Sequence, residues 1–178
     1  DSPGLVPNPP RTEAMATRHR FYCPPLATLS DPADPAATPP ALALPDDEAR
    51  HAQRVLRLRP GDEIELFDGR GGIGHGRIEA WRPDPLVRLD QWHRQTPPQP
   101  KIEIAVALPK GNLATDMVRQ LSQVGADRLV PLETGHSTVR PREGKQSKLR
   151  RAAIEAAKQC GRAWLLEVEE PAPLAEVL

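Results

Sequence analysis

The second half of the chain alternates between strand-like and helix-like segments, and this alternation limits its possible folds more than any other feature. An almost unbroken apolar run at 101–109 comes first, and segments with helical period and segments with strand character then follow in turn. This order is typical of a parallel sheet with right-handed helical crossovers. The predicted strands are KIEIAVALP, DRLVPL and WLLEV, and the predicted helices are NLATDMVRQLSQVGA and SKLRRAAIEAAKQCG.

Both predicted helices carry start and stop signals. Asn112 and Ser147 are predicted N-caps, because such side chains accept hydrogen bonds from the first free backbone N–H groups. Gly125 and Gly161 are predicted stops, because glycine readily adopts the left-handed conformation that ends a helix. On the first helix, the 3.6-residue period predicts one apolar face. Its members are Leu113, Met117, Leu121 and Val124.

The first half carries shorter segments, which predict a small β-barrel or sheet domain. Prolines are scattered through 1–17, so this stretch is predicted to be a disordered leader or tag, with Met15 as the natural start. The proline-rich RQTPPQP at 94–100 is predicted to be a linker, which gives domains at 18–96 and 97–178. The predicted strands are RHRFYC, Ala41 to Leu44, a hairpin of Ile64 to Phe67 with Ile73 to Glu79, and LVRLDQW.

A basic helix is predicted between the second and third of these strands, in PDDEARHAQRVLRLRPGD. Acidic residues at its start and arginines at its end suit the helix dipole. On the purely structural interpretation, the arginines only stabilise the helix end in this way. On the functional interpretation, Arg54 and Arg57 share one helix face and form a basic surface with Arg18, Arg20 and His51. The apolar stripe is predicted to hold Ala52, Val55, Leu56 and Leu58.

The overall charge is balanced, with 24 basic and 24 acidic residues, so any nucleic-acid contact must be local. Aromatic residues make up only 3%, which argues against a surface that stacks a row of RNA bases. A second basic stretch runs from His136 to Arg151, either as a solvated loop or as a phosphate contact. Lys110 beside Gly111 is either an anion contact or an ordinary turn. The residues predicted to contact RNA are Arg18, Arg20, His51, Arg54, Arg57, Lys110, Arg140 and Arg142.

Several other classes of protein are disfavoured. Cys23 and Cys160 are too few and too far apart for a disulfide framework or a zinc site, so both are predicted to be reduced thiols of a cytoplasmic protein, with Cys160 a buried filler. No metal ligand set, glycine-rich dinucleotide motif or catalytic grouping of serine, cysteine, histidine and carboxylates stands out. No apolar run is long enough to span a bilayer.

Five segments occur in the order of a known family: RFYCPP, HAQRVLRLRPGDEIELFDGRGG, IAVALPKGN, QVGADRLVPL and KLRRAAIEAAKQCGR. From Arg18 to about Val168, the chain resembles the bacterial small-subunit rRNA uridine-N3 methyltransferases, the RsmE-like branch of the SPOUT superfamily. The resemblance implies an α+β two-domain fold, in which a PUA-like RNA-binding barrel precedes an α/β domain with a trefoil knot. It also implies S-adenosylmethionine as cofactor, 16S rRNA and the small ribosomal subunit as partners, and a homodimer.

The chain departs from the family pattern in two places. Gln120 and Gln123 stand where many relatives carry a lysine and a glutamate. The glycine-rich G-P-E-G-G loop and the L-G-x-R-I-L-R-T-E-T-A segment, which in relatives form the knot and most of the cofactor pocket, do not occur within these 178 residues. The catalytic and cofactor residues are therefore expected beyond Leu178, with an open sheet border where further strands belong and no activity from this piece alone. The alternative function is a non-catalytic RNA-binding module in ribosome maturation.

Overall fold

The computed structural model describes residues 19–29, 40–133 and 145–177, which form two sheets. The strands of the first sheet are β1 (His19–Tyr22), β2 (Ala41–Ala43), β3 (Glu63–Phe67), β4 (Gly72–Ala80) and β5 (Leu86–Arg94). Their spatial order is β1-β3-β4-β5-β2. Strand β1 runs parallel to β3, and the other neighbours are antiparallel. In these described ranges the edge strands β1 and β2 do not pair, and the sheet is a curled half-barrel.

All the predicted strands of this first sheet are confirmed, including the hairpin of β3 and β4. Their inward side chains form a continuous core, in which the rings and branched side chains are almost completely buried. A 3₁₀ turn (Pro24–Thr28) covers one end and places Leu26 in this core. The largest core members are Phe21, Leu26, Ile64, Leu66, Ile78, Val87 and Leu89.

The basic helix of this half is shorter than predicted. Helix α1 (Asp46–Arg50) continues into a π-helical turn (His51–Val55), and the helix ends there. Arg57 therefore lies beyond the helix, with a φ of 57°, so the prediction that Arg54 and Arg57 share a helix face is wrong. The wider π turn also changes which side chains point inward. Ala52 is fully buried, but Val55 is 65% exposed and does not belong to the apolar stripe.

The second half forms a parallel sheet, as its alternating segments predict. Strand β7 (Arg128–Glu133) lies between β6 (Glu103–Val106) on one edge and β8 (Glu167–Val168) with β9 (Ala172–Pro173) on the other. In the described part of the chain, β6 pairs with β7 alone and leaves its outer edge open. The helices are α2 (Leu113–Val124), α3 (Lys145–Cys160) and the short α4 (Leu174–Val177).

The predicted helix stops are confirmed, but the predicted caps are wrong. Gly125 and Gly161 have φ values of 96° and 76°, in the left-handed region. Asn112 makes no side-chain capping bond, and its Oδ1 instead accepts a hydrogen bond from Lys148 Nζ at 3.2 Å. Ser147 lies inside α3, because that helix begins two residues earlier at Lys145.

The predicted apolar face of α2 is only partly right, since Met117 and Leu121 pack against the core and the other two members do not. Leu113 and Val124 are 65% and 74% exposed, and Met117 and Leu121 are only partly buried. The inward residues are smaller, because α2 packs against an alanine-rich side of α3 and small side chains let the two helices approach closely. The buried members of this contact are Ala114, Val118, Leu149, Ala152 and Ala153.

Candidate RNA interface and domain junction

The basic segment, defined as residues 51–57, lies on the surface of the half-barrel. Arg54 and Arg57 are exposed, and among the described residues neither guanidinium has an ion-pair partner or a side-chain hydrogen bond. A π turn and a non-glycine residue in the left-handed region are both uncommon and cluster at functional sites. The segment therefore presents unpaired positive charge on a backbone that departs from regular helix.

Arg20, in contrast, is not part of an open basic surface. Its side chain is 7% exposed, and its Nε lies 2.6 Å from Glu65 Oε1. The Nη1 group donates to the carbonyl of Ala157 at 2.9 Å, and the guanidinium lies 4.4 Å from the centroid of the Phe67 ring. Burial lowers the pKa of Arg20, and the neighbouring Glu65 carboxylate opposes that shift. Arg20 thus joins the half-barrel to α3. Its guanidinium is not exposed, so it is not available for the RNA contact that was predicted for it.

Lys110 and His51, the two other predicted RNA contacts among the described residues, do not lie on one surface. Lys110 is exposed after the carboxyl end of β6, and the bond from Lys148 to Asn112 places the start of α3 beside it. His51 lies at the opposite end of α3, where it lines a crevice with His19, Lys158 and Gln159. Lys148 and Lys158 mark these two regions on α3, and the ten residues of helix between them correspond to about 15 Å. Arg18, Arg140 and Arg142 lie outside the described residues.

A buried ion pair connects the helix that carries the basic segment to the end of α3. Lys158 Nζ lies 2.6 Å from Glu48 Oε1, and the two side chains are only 13% and 6% exposed. Lys158 also lies 3.3 Å from Glu155 Oε1. Burial raises the pKa of Glu48, and the Lys158 ammonium offsets this only in part. A carboxylate that belongs to the predicted acidic helix start therefore acts as a contact between domains, and sequence spacing gave no signal for this pairing.

A second contact between the two halves is formed by the backbone of the β3–β4 turn. Gly71 N donates to Ala163 O at 3.1 Å, and Leu165 N donates to Gly69 O at 3.1 Å. A side chain at Gly71 would meet Gln95 O and the Trp164 ring at 2.6 Å, and its φ of 92° also favours glycine. The turn FDGRGG thus does more than close a hairpin, because it also docks onto the segment after α3.

Inside that turn, Asp68 holds the backbone in place. Its side chain is completely buried, and Oδ1 accepts hydrogen bonds from the backbone N–H groups of Arg70 at 2.6 Å and Gly72 at 2.9 Å. Oδ2 lies 3.2 Å from Arg94 Nη1. This carboxylate therefore organises the turn that meets the α/β half, a role that the sequence analysis missed although an aspartate before glycines is a turn signal.

A cleft of about 930 Å³ opens beside this junction. It lies along the amino ends of β6 and β7, and its wall includes Tyr22, Lys101, Arg150 and Trp164. Arg128 in the same wall is held by Glu169 at 2.9 Å and Glu103 at 3.3 Å. The cleft is therefore of mixed charge, unlike the basic segment, and it lies away from the carboxyl edge where open α/β sheets usually bind ligands.

The thiols behave differently from one another. Both cysteines are free, as predicted, but Cys160 is exposed, so the prediction that it is a buried filler is wrong. Burial raises the pKa of Cys23 to about 11, which keeps it protonated and unreactive. Within the described ranges, no group of three or more His, Cys, Asp or Glu side chains is placed to hold a metal ion, and no helix is long and apolar enough to cross a membrane.

Comparison with known proteins defines the class to which this arrangement belongs. The family model for an RNA methyltransferase PUA domain matches residues 44–85, and that for an RNA methyltransferase domain matches residues 96–178. The two sheets thus correspond to the two modules of a PUA-containing RNA methyltransferase. The chain belongs to the RsmE family, in which these modules follow one another in this order.

Individual relatives agree with this assignment. The chain is 31% identical over 124 residues to ribosomal RNA small subunit methyltransferase E of Synechocystis, which covers 70% of this chain and 41% of the relative. The Bacillus subtilis protein of the same name is 26% identical, with 48% of its length covered. The chain therefore spans less than half the length of these curated relatives.

Solved structures share the same fold. A probable rRNA-methyltransferase from Porphyromonas gingivalis is 34% identical, with a TM-score of 0.67 over 85% of this chain and 60% of that one. A ribosomal RNA small subunit methyltransferase E from Neisseria gonorrhoeae, bound to S-adenosyl methionine, has a TM-score of 0.74. It covers 90% of this chain and 64% of that one at 22% identity, so it supports the fold alone.

Proposed function

We propose that this chain is the RNA-docking part of a cytoplasmic enzyme that methylates N3 of a uridine in 16S rRNA of the small ribosomal subunit. The methyl donor is S-adenosylmethionine, and the complete protein acts as a homodimer. The observation that carries the proposal is the joint match to the PUA and methyltransferase modules in the family order, together with an exposed basic segment on the PUA-like half. The likeness to a curated rRNA methyltransferase at 31% identity supports the substrate class.

The chemistry of the reaction explains why a rigid docking unit is useful. Uracil N3 carries a weakly acidic proton, which must leave before or during methyl transfer, and the acceptor nitrogen must face the donor methyl in line. Holding both reactants in that geometry supplies a large part of the rate acceleration of such reactions. Basic residues that contact RNA phosphates set the register and orientation of the substrate without reading its bases.

The described residues do not by themselves suit the cofactor. S-adenosylmethionine supplies a methyl group from a positively charged sulfonium, and α/β proteins bind such ligands outside the carboxyl ends of their strands. At that edge the described side chains include the cations Lys110 and Lys148, which disfavour a sulfonium. We therefore assign no cofactor or catalytic residue to this chain, and we place most of the pocket in segments of the complete protein outside these residues.

Activity is tested with the complete gene product, incubated with labelled S-adenosylmethionine and either 16S rRNA or small ribosomal subunits. We expect one methyl group per RNA, located on N3 of a uridine by mass spectrometry, and no further uptake in a second round. Residues 1–178 alone, titrated calorimetrically with the cofactor, should show no tight binding; micromolar affinity would contradict our placement of the pocket. RNA binding by the complete product without methyl transfer would favour the non-catalytic module.

Replacing Arg54 and Arg57 together with alanine is expected to weaken RNA binding. Each lost phosphate contact should lower the slope of log affinity against log salt by about 0.7 to 0.9, so the pair should lower it by roughly 1.5. Filter binding of small-subunit rRNA over a range of KCl concentrations measures both quantities.

The matched control is Arg119→Ala, which removes an exposed guanidinium of α2 that is already paired with Asp116 at 2.8 Å. This variant should keep the affinity and the salt slope of the parent protein. If the double variant also keeps both, the basic segment does not contact RNA phosphate.

A further inference from the structure

Among the described residues, two contacts between the halves of the chain differ in kind, and the difference is informative. The first is the backbone contact between the β3–β4 turn and residues 163–165. The second, which we call the latch, consists of the Lys158–Glu48 ion pair and the bond from Arg20 to Ala157 O. A single contact would leave one half free to rotate on the other, whereas two contacts fix their relative orientation.

The latch lies at a specific position along the chain. Glu48 stands on α1, immediately before the π turn that carries His51 and Arg54. Lys158 stands on the last turn of α3, whose other end lies beside Lys110 and the carboxyl edge of the parallel sheet. Helix α3 thus connects the basic segment at one end with the edge at which α/β proteins place their chemistry at the other.

The latch also differs from an ordinary surface ion pair, because its charged groups are buried. Both charges of the Lys158–Glu48 pair are almost completely withdrawn from water, and Glu48 Oε2 has no hydrogen-bond partner in the described part of the chain. Arg20 is held by Glu65, the Phe67 ring and a helix carbonyl at once. Buried pairs contribute little net stability compared with apolar packing, and in some proteins they are retained because they specify one geometry.

We propose that Lys158 and Arg20 are positioning residues, which hold the RNA-binding half at one fixed angle to α3 so that RNA bound at the basic segment reaches the methyl-transfer site. This inference rests on the proposed function. It requires that loss of the latch leaves RNA affinity unchanged, because Arg54 and Arg57 are untouched. It also requires that methyl transfer slows, because misplacing the acceptor by about 1 Å can reduce the rate by roughly 100-fold.

The experiment uses the complete gene product with Cys160 replaced by serine and spin labels at two exposed positions, Asp84→Cys and Arg119→Cys. The variants are Arg20→Lys and the double change Glu48→Gln with Lys158→Met, which removes both buried charges and so avoids leaving either one unpaired. Lys158→Arg is the conservative variant, and Arg77→Met is the control, since it removes an exposed pair with Glu63 inside the half-barrel.

We expect a narrow distance distribution between the labels in the parent, in Lys158→Arg and in Arg77→Met, and a broad one in the latch variants. In the unlabelled proteins, the latch variants should lose about 10- to 100-fold in kcat with unchanged RNA Kd. An unchanged kcat, an unchanged distance distribution, or a loss confined to RNA affinity each overturns the proposal. If the parent protein transfers no methyl group, the proposed function fails, and the distances alone then decide whether the latch fixes the two halves.

Discussion

The variant Lys158→Met is expected to lose about 3–5 kcal/mol of unfolding free energy at pH 8, because it leaves the Glu48 carboxylate buried without its cation. The loss should depend on pH in a defined direction. Burial already raises the pKa of Glu48, and without Lys158 that pKa rises further. At acidic pH the carboxyl is protonated in both proteins, so the difference between them should be small. The difference should grow as the pH rises through the pKa of Glu48 in the parent protein. Above that pH, Glu48 of the parent ionises beside Lys158, whereas Glu48 of the variant must either stay protonated or become a buried carboxylate without a cation.

Urea unfolding of the parent and the variant at several pH values measures this difference directly. The double variant Glu48→Gln with Lys158→Met should recover most of the loss at pH 8, since it removes the unpaired charge. The control Arg119→Met breaks an ion pair whose side chains are each 52% exposed, and it should cost less than about 1 kcal/mol at any pH. If Lys158→Met and Arg119→Met lost the same unfolding free energy, or if the loss in Lys158→Met did not change with pH, the buried pair would not be coupled to folding.

Replacing Asp68 with alanine is the second change with a large expected effect. It removes one acceptor from two backbone N–H groups and from the Arg94 guanidinium, all inside or beside a buried turn. Losing its partner should cost the buried N–H of Gly72 about 1–3 kcal/mol and each of the two partly buried donors about 1 kcal/mol, so we expect a total loss of roughly 3–5 kcal/mol. The turn also carries the contact with residues 163–165, so amide hydrogens of Gly71 and Leu165 should exchange faster in this variant.

Two variants make this test specific. Asp68→Asn keeps an oxygen for the backbone N–H groups and loses only the charge facing Arg94, so it should lie between the parent and Asp68→Ala. Asp62→Ala removes an aspartate that accepts one bond, from Arg59 N at 2.7 Å in an exposed turn, and it should cost about 1 kcal/mol or less. If Asp68→Ala were no more damaging than Asp62→Ala, the buried carboxylate would not be what holds the turn.

A structural feature was predictable from the sequence where it depends on a few neighbouring residues, and it was not where it depends on residues far apart in the chain. The strands of the first sheet, β6 to β8 of the second and the stops at Gly125 and Gly161 were predictable, because alternation, apolar runs and glycine act over a few residues. Strand β9 was not predicted. The inward face of α2 was not, because two overlapping stripes fit the same helical period. The alanines of α3 favour the stripe with small side chains, and they are more than thirty residues away along the chain.

The candidate RNA interface shows the same division. The surplus of arginine in residues 51–57 was visible in the sequence, and its exposure agrees with that expectation. The sequence grouped Arg20 with the same surface, whereas the fold places its guanidinium between Glu65 and a carbonyl of α3. It also suggested that Lys110 belonged with the other cations, although Lys110 lies near the start of α3 and His51 lies near its end.

By itself, the sequence determined the order of the secondary-structure elements, the change from antiparallel to parallel architecture and the segments that carry positive charge. These depend on periodicity, turn chemistry and composition, which short stretches contain in full. Only the tertiary structure decided that Lys158 meets Glu48, that Asp68 organises a turn shared by both halves, and that Arg20 joins the two sheets. Those roles arise from pairs of side chains far apart in the chain, and the free energy of burying a charge depends on which partner the fold brings to it.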